Sequence, residues 1–336
     1  MSSLQVVPIS KAAANQRAGR AGRVMPGKCF RLFTKWEFEQ NLDDSNTPEI
    51  LRANLCNVVL QLKALNVSDV LRFDFMDPPP TDFLVKSLEM LYGLMALNSK
   101  GELTTLGRRM AEFPLEPMMA KALISSQKYQ VVDEVVSICS VLTCGDALFF
   151  RPKEKALHAD NAKKNFHRAG GDHFMMLNIY KQWEDTGFSQ QWCVENYLQY
   201  RPLNRARDIR DQLLDLLKKV DIEVSSNPGN EEGIRKSILA GYFFHCARLN
   251  KNGSYTTLKN PHSVEIHPSS SLLEFKPKMI CYHELWKTEK EYMRECIEVQ
   301  AKWLAEVAPY YYSKTELRLE DDAKVKPRNM GSATAG

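Results

Sequence analysis

Residues 10–23 read Ser-Lys-Ala-Ala-Ala-Asn-Gln-Arg-Ala-Gly-Arg-Ala-Gly-Arg (SKAAANQRAGRAGR), followed by VMPGKCFRLF to Phe33. Ser10 is a helix-capping residue type, because its hydroxyl can accept from the unpaired N–H groups of a first turn. Gly22 and Gly27 break the helix, and KCFRLFT (28–34) then alternates like a strand. On a helix Gln16, Arg20 and Arg23 fall at i, i+4 and i+7, one stripe of one face. Arg17 points elsewhere, turned by about 100° from its neighbour. Gly19 and Gly22 remove side chains beside the stripe, so a ligand or a facing domain can come close. One amide and two guanidiniums in line suit a polyphosphate. Arginine stays charged and offers forked donors to phosphate oxygens, and glutamine can orient a water for in-line attack. The plainer alternative is a solvated basic helix touching RNA or an acidic neighbour.

Working outward, residues 1–40 make a helix, a turn and a strand, too little for a domain. The pattern therefore predicts a packing partner outside this segment. Residues 41–113 read as a small helical unit with a hairpin. Thr47-Pro48 is a helix start, with threonine as cap and proline in the first turn. Leu51, Leu55, Val58, Leu62 and Leu65 then mark one buried face. Asp77-Pro78-Pro79-Pro80 stops the chain. A second apolar helix runs from about Asp82 to Leu97, and NSKGELTTLGRRM gives a turn, a short strand and another capped helix. Helices with a small β wing predict a winged-helix module. Residues 114–233 are helical in pattern, with connectors short enough for a bundle. SSNPGNEEG at 225–233 is a polar boundary loop. Residues 234–312 open with one helix, IRKSILAGYFFHCARL. GSYTTL, HSVEIH, SLLEF, MICYHEL and EYMRECIEV then read as short strands of a small barrel compatible with an OB-fold. AKWLAEVAPYYY closes it with a helix, and residues 313–336 have the composition of a disordered tail. The fold class is thus multidomain and mainly α, ending in a β-barrel.

Composition narrows the classes. The 336 residues carry a net charge of +4, which permits nucleic-acid binding without arguing for it, so local clusters such as RAGRAGR and NRARDIR matter more. No apolar run reaches the roughly 18 residues of a membrane span, and MSSLQVVPISK lacks a signal peptide's features. An intracellular protein without membrane contact is the expectation. The eight cysteines form no CxxC pair and the seven histidines lack ligand spacing, so no metal site is expected.

The string at 16–23 matches helicase motif VI of the DEAH-box RNA helicases. SKAAANQRAGRAGR with GKCFRLF resembles that family's segment around the motif. TPEILRANLCNVVLQLKALN, FDFMDPPP, ELTTLGRRMAEFPLEPMMAKAL, RPKEKALHAD, GGDHFMMLNIY, WCVENYLQY, AGYFFHCARL, VEIHPSSSL and WLAEVAPYYY resemble further landmarks, in order. The wording is nearest the pre-mRNA-splicing members. The resemblance covers residues 2–312 and implies a layout: the end of a second RecA-like domain (1–40), a winged helix (41–113), a helical ratchet (114–233) and an OB-fold (234–312). It implies that Gln16 contacts the γ-phosphate or its attacking water, and that Arg20 and Arg23 act as arginine fingers. It also implies ATP with Mg²⁺ as cofactor, single-stranded pre-mRNA and spliceosomal proteins as partners, a G-patch protein as activator, and the nucleus as location.

The chain contains no GxxxxGK[ST] P-loop and no DEAH box. Motif VI alone cannot position a nucleotide, so the chain by itself is expected to lack ATPase activity and to be part of a longer protein. Three stretches are expected near RNA. Gly171-Asp172-His173 opens a helix whose first amides favour phosphate, or else Asp172 merely caps that helix. Asn204, Arg205 and Arg207 resemble the family's ratchet segment, although Arg207 and Asp211 could instead form an i,i+4 pair. Lys287, Thr288 and Lys290 resemble an OB-fold loop, or are a solvated charged turn. Tyr310–Tyr312 could stack bases, but at the end of an apolar helix they read rather as packing residues. Two further readings stay open: a DEAH-box helicase of ribosome assembly or RNA surveillance, and a non-catalytic RNA-binding adaptor built from accessory domains.

Overall fold

The computed structural model describes residues 2, 3, 6–313 and 317, with the side chains of 2, 3, 146 and 147 left aside. Apart from Ser313 and Leu317, the tail expected at 313–336 lies outside the described residues. The chain packs as two compact units, one formed by residues 3–91 and the other by 92 onward.

In the first unit α1 (Lys11–Gly19) starts where Ser10 predicts, with the Ser10 hydroxyl accepting from Ala13 N at 3.2 Å. Its first turn is tied to residues 43–44, since Lys11 N and Ala12 N donate to the carbonyls of Asp43 and Asp44. The strand expected at 28–34 does not form; these residues are mostly exposed and extended or bent, and α2 (Lys35–Gln40) follows. Alternation marks a strand only when a neighbouring strand takes its N–H and C=O groups, and the described chain offers none there. The helix expected from Thr47 is also corrected. Pro48 stays extended ahead of a single 3-10 turn at Glu49–Leu51. Asn54 Oδ1 then accepts from Cys56 N at 2.9 Å, and α3 (Cys56–Ala64) begins there. That later start rotates the buried face to Leu55, Val59 and Leu60, leaving Val58 and Leu65 exposed. α4 (Thr81–Gly93) follows the proline run.

The second unit begins with a minimal wing. Leu97 and Leu103 form one antiparallel bridge, and Gly101 takes the left-handed conformation its turn needs. Thr104 caps α5 (Thr105–Ala111), accepting from Gly107 N at 3.0 Å. Then come α6 (Pro117–Tyr129), α7 (Val132–Leu142), α8 (Ala156–Asn165), α9 (Asp172–Asp185), α10 (Gln190–Glu195), α11 (Tyr200–Lys219) and α12 (Glu231–Tyr242). α7 is apolar around nearly its whole circumference, and every residue but Asp133 is buried. A helix of that kind must be surrounded, and α6, α9 and α11 pack against it. Two acidic residues of its first turn anchor it: Asp133 accepts from Arg210 of α11 and, at 2.8 Å, from Lys181 of α9, and Glu134 accepts from Ser226 Oγ at 2.6 Å.

Five strands close the barrel: β1 (Cys246–Leu249), β2 (Tyr255–Thr257), β3 (Ser263–Ile266), β4 (Met279–Lys287) and β5 (Glu291–Glu298). β1 pairs antiparallel with β2 and β4, β2 with β3, and β4 with β5, while β3 and β5 run parallel. That ring leaves none of the five strands as a free edge and is an OB-fold. Its interior holds Tyr255, Val264, Ile266, Ile280, Tyr282 and Met293. Two expectations are corrected here. The helix read through HCARL ends at Tyr242, because CARL is β1 and its pairing with both neighbours overrides a helical composition. SLLEF is a run of turns, not a strand: Leu273 N and Phe275 N donate three residues back to Ser270 and Leu272. α13 (Ala301–Val307) packs on α12. Tyr310 and Tyr312 donate their hydroxyls to the carbonyls of Gly93 and Phe243, as packing residues do.

Candidate nucleic-acid interface

The motif at 16–23 is fully presented to solvent. Gln16, Arg20 and Arg23 are exposed, and among the described residues their side chains have no hydrogen-bond or ionic partner. The helix does not run straight through them. α1 ends at Gly19, and Arg20–Gly22 form a 3-10 turn. A 3-10 turn has three residues per turn, so side chains at i and i+3 eclipse, which keeps Arg20 and Arg23 in line by a route other than the expected seven-residue spacing. A Cβ placed on Gly19 or Gly22 would meet nothing within 4 Å. The surface beside the arginines is therefore open.

Gly171, Asp172 and His173 are turned inward, onto the barrel. Asp172 is the first residue of α9 but does not cap it; the cap position belongs to Gly171. The Asp172 carboxylate instead accepts from Ser270 Oγ (2.6 Å), Ser271 N (2.7 Å), Ser271 Oγ (2.7 Å) and Cys296 N (2.8 Å). Gly171 has φ +123, and a Cβ there would sit 2.3 Å from the Cys296 carbonyl oxygen. The His173 side chain is buried, with its pKa lowered by loss of solvent against the pull of Asp172. The expected capping by Asp172 is thus corrected, and the buried Asp172 and His173 side chains present no face to an external strand. This segment rivets α9 to the loop before β4 and to β5.

The other candidates face outward. Asn204 sits 3.5 Å from Asp208, a marginal contact, and Arg205 is exposed. Arg207 is not paired with Asp211; its guanidinium lies 5.0 Å from the ring centre of Phe188. α11 presents this face because Leu203, Ala206, Leu213 and Leu217 bury the opposite one. Lys287, Thr288 and Lys290 form the exposed β4–β5 hairpin, with Thr288 N bonded to the Lys290 carbonyl. Lys287 lies 3.6 Å from Glu291, and Lys290 is held by Glu265 at 2.7 Å. These exposed pairs are weak in water, so either lysine can exchange its partner for phosphate.

One surface escaped the sequence reading. A cleft of about 1140 Å³ runs along the start of α11, lined by Phe150, Lys153, Lys155, Tyr197, Tyr200 and Arg201 among others. Aromatic faces for bases beside cations for phosphates are what sequence-tolerant single-strand binding requires. The signal was present in FFRPKEK at 149–155, aromatics running directly into a basic stretch. Among the described residues no group of three His, Cys, Asp or Glu is placed to hold a metal, and no helix is long and apolar enough to cross a membrane.

Three family models match the chain. Residues 87–115 match the winged-helix part of the helicase-associated domain, and residues 116–176 its ratchet-like part. Residues 234–311 match an oligonucleotide/oligosaccharide-binding fold. These three modules, in this order, are typical of the C-terminal region of DEAH/RHA-type helicases. The barrel falls within the oligonucleotide/oligosaccharide-binding match, which suggests nucleic-acid binding, while the ratchet-like match ends in the first turns of α9, ahead of α11.

Proposed function

We propose that this chain is the RNA-gripping C-terminal part of an ATP-dependent RNA helicase that remodels RNA–protein complexes during pre-mRNA splicing in the nucleus. The observation that carries the reading is the order of parts. An exposed, unpartnered Gln16/Arg20/Arg23 motif precedes the winged-helix, ratchet and OB-fold modules of a DEAH/RHA-type helicase. The landmark segments quoted above, nearest the splicing members, support the splicing role over ribosome assembly or RNA surveillance. Spliceosomal proteins, and a G-patch protein as activator, are the partners that fit it.

The donor set at 16–23 fits the terminal phosphates of ATP, since guanidiniums match phosphate oxygens in charge and geometry. Bound ATP with Mg²⁺ would supply the phosphoryl transfer. Gln16 would orient the attacking water, and Arg20 and Arg23 would stabilise charge on the transferred group. These 336 residues contain no P-loop and no DEAH box, so P-loop amides and a Mg²⁺-holding carboxylate would have to be supplied to this motif by other residues. On the RNA side, Asn204, Arg205, Arg207, Lys287, Thr288 and Lys290 would contact backbone, where a translocating motor must tolerate any sequence.

Two measurements test this reading. The chain alone should bind single-stranded RNA without nucleotide and hydrolyse no ATP. Lys287→Ala with Lys290→Ala should weaken binding across sequences and reduce the salt slope by about one to two. In the same chain extended to include a P-loop, Arg20→Ala with Arg23→Ala should cut turnover by roughly 10³-fold or more. Unchanged turnover in that variant would remove the motor reading and leave the RNA-binding adaptor.

A further inference from the structure

Strand β5 departs from strand geometry at one residue. Glu295 has φ +44 in the middle of the strand, a conformation that residues with side chains rarely adopt and that concentrates at functional sites. Its Oε2 is buried and has no hydrogen-bond partner among the described residues. Burial pushes its carboxyl up to about 7. An idle buried acceptor on a strained backbone is destabilising twice over.

Beside it lies a cavity of about 230 Å³ between α9 and the barrel. Leu148, Phe149, Met175 and Met176 give it apolar walls, and Lys163, Asp172, Ser269, Arg294 and Glu295 supply its polar groups, the Asp172 carboxylate being already taken up by Ser270, Ser271 and Cys296. Gly145 and Ser269, both exposed, mark its rim. Lys163 Nζ lies 4.9 Å from the Phe149 ring centre and donates to the Ser269 carbonyl at 2.7 Å, which leaves other ammonium protons available. An apolar slot with a few convergent polar groups suits a small flat molecule. A hydrocarbon would leave the Glu295 oxygen unpaired, and a fully ionised anion would offer it no donor. A heterocycle with adjacent donor and acceptor atoms satisfies both Glu295 and Lys163 while its ring lies against Phe149 and the methionines.

We propose that this cavity takes one unstacked nucleobase of bound RNA, gripped along its hydrogen-bonding edge by Glu295 and Lys163. The left-handed backbone at Glu295 is then the device that aims the carboxyl into the slot. The proposal rests on the RNA-binding reading above, and adds to backbone gripping a contact that needs a base.

Fluorescence anisotropy tests it, using the full chain and an RNA of about 12 nucleotides, within the usual site size of such folds. A parallel series carries one abasic residue at each position. One position should lose about fivefold or more in affinity, the range of a lost base contact, and that loss should vanish in Glu295→Gly and Phe149→Ala. Glu295→Gly should melt no lower than the parent, because it relieves the φ and removes the idle carboxyl. Equal losses at every position, or a position-specific loss that survives both variants, would overturn the pocket while leaving RNA binding intact. If the chain bound no RNA, the RNA reading would fall instead. Methyl NMR of Met175 and Met176 with added nucleoside monophosphates would then decide the cavity, and unmoved methyl signals would overturn it as well.

Discussion

Replacing Asp172 with alanine removes one carboxylate and strands four donors. Two are hydroxyls, Ser270 Oγ and Ser271 Oγ, which can rotate toward other acceptors. The other two are the backbone N–H groups of Ser271 and Cys296, held at 2.7 and 2.8 Å in a buried place. They cannot turn away. An unsatisfied buried donor costs about 1–3 kcal/mol. Water entering the space left by the carboxyl brings the pair toward the lower end, so the variant should lose roughly 3 kcal/mol. For a unit of this size that lowers the melting temperature by about 6–12 °C, at 2–4 °C per kcal/mol. Asp172→Asn keeps the volume and one acceptor oxygen but presents an N–H₂ to a donor, and should fall between parent and alanine. Urea melts followed by circular dichroism read the loss, and hydrogen exchange at the Ser271 and Cys296 amides locates it. A loss below about 1 kcal/mol with unchanged exchange at Cys296 would refute the view that this carboxylate rivets ratchet to barrel.

Gly171→Ala should destabilise by at least about 2 kcal/mol, since φ +123 is strained for alanine and the new methyl would strike the Cys296 carbonyl; a melt within experimental error of the parent would contradict it. Stability should also fall with acid. Burial holds His245 near 4 and His283 near 3, below the roughly 6.5 of an unfolded histidine. Their contribution is complete above that value and is lost as pH falls through it toward the folded pKa, about 2 kcal/mol each by pH 5. Glu295 has the opposite sign: its raised pKa favours the fold at low pH and that benefit disappears as pH rises through about 7, so it offsets about one histidine. His173, also buried and held near 4, adds about 2 kcal/mol of the same sign, so the net expectation is a loss of roughly 4 kcal/mol from pH 7 to 5 in urea melts, steepened by Glu295→Gln; a flat profile in that variant would show the imidazoles to be solvated.

Much of this was local and therefore legible in the chain itself. Caps at Ser10 and Thr104, the three-and-four spacing of α6, α7, α9 and α11, and four of the five barrel strands follow from residue chemistry repeated at a fixed period. The motif at 16–23 was legible as a short string, although its geometry was not, since the helix gives way to a 3-10 turn at Arg20. What failed was everything decided by a partner distant in sequence. KCFRLF alternates but has no neighbouring strand, CARL has helical residues yet completes a sheet between 255–257 and 279–281, and Asp172 looks like a helix cap but bonds to residues about a hundred positions away. Glu295 is the furthest case, since no period or motif signals a left-handed residue mid-strand, and the cavity beside it is lined by residues from 145 to 295 that only the fold brings together. Period and propensity fix what a segment can become, and the hydrogen-bonding partners that folding brings to it fix what it does become.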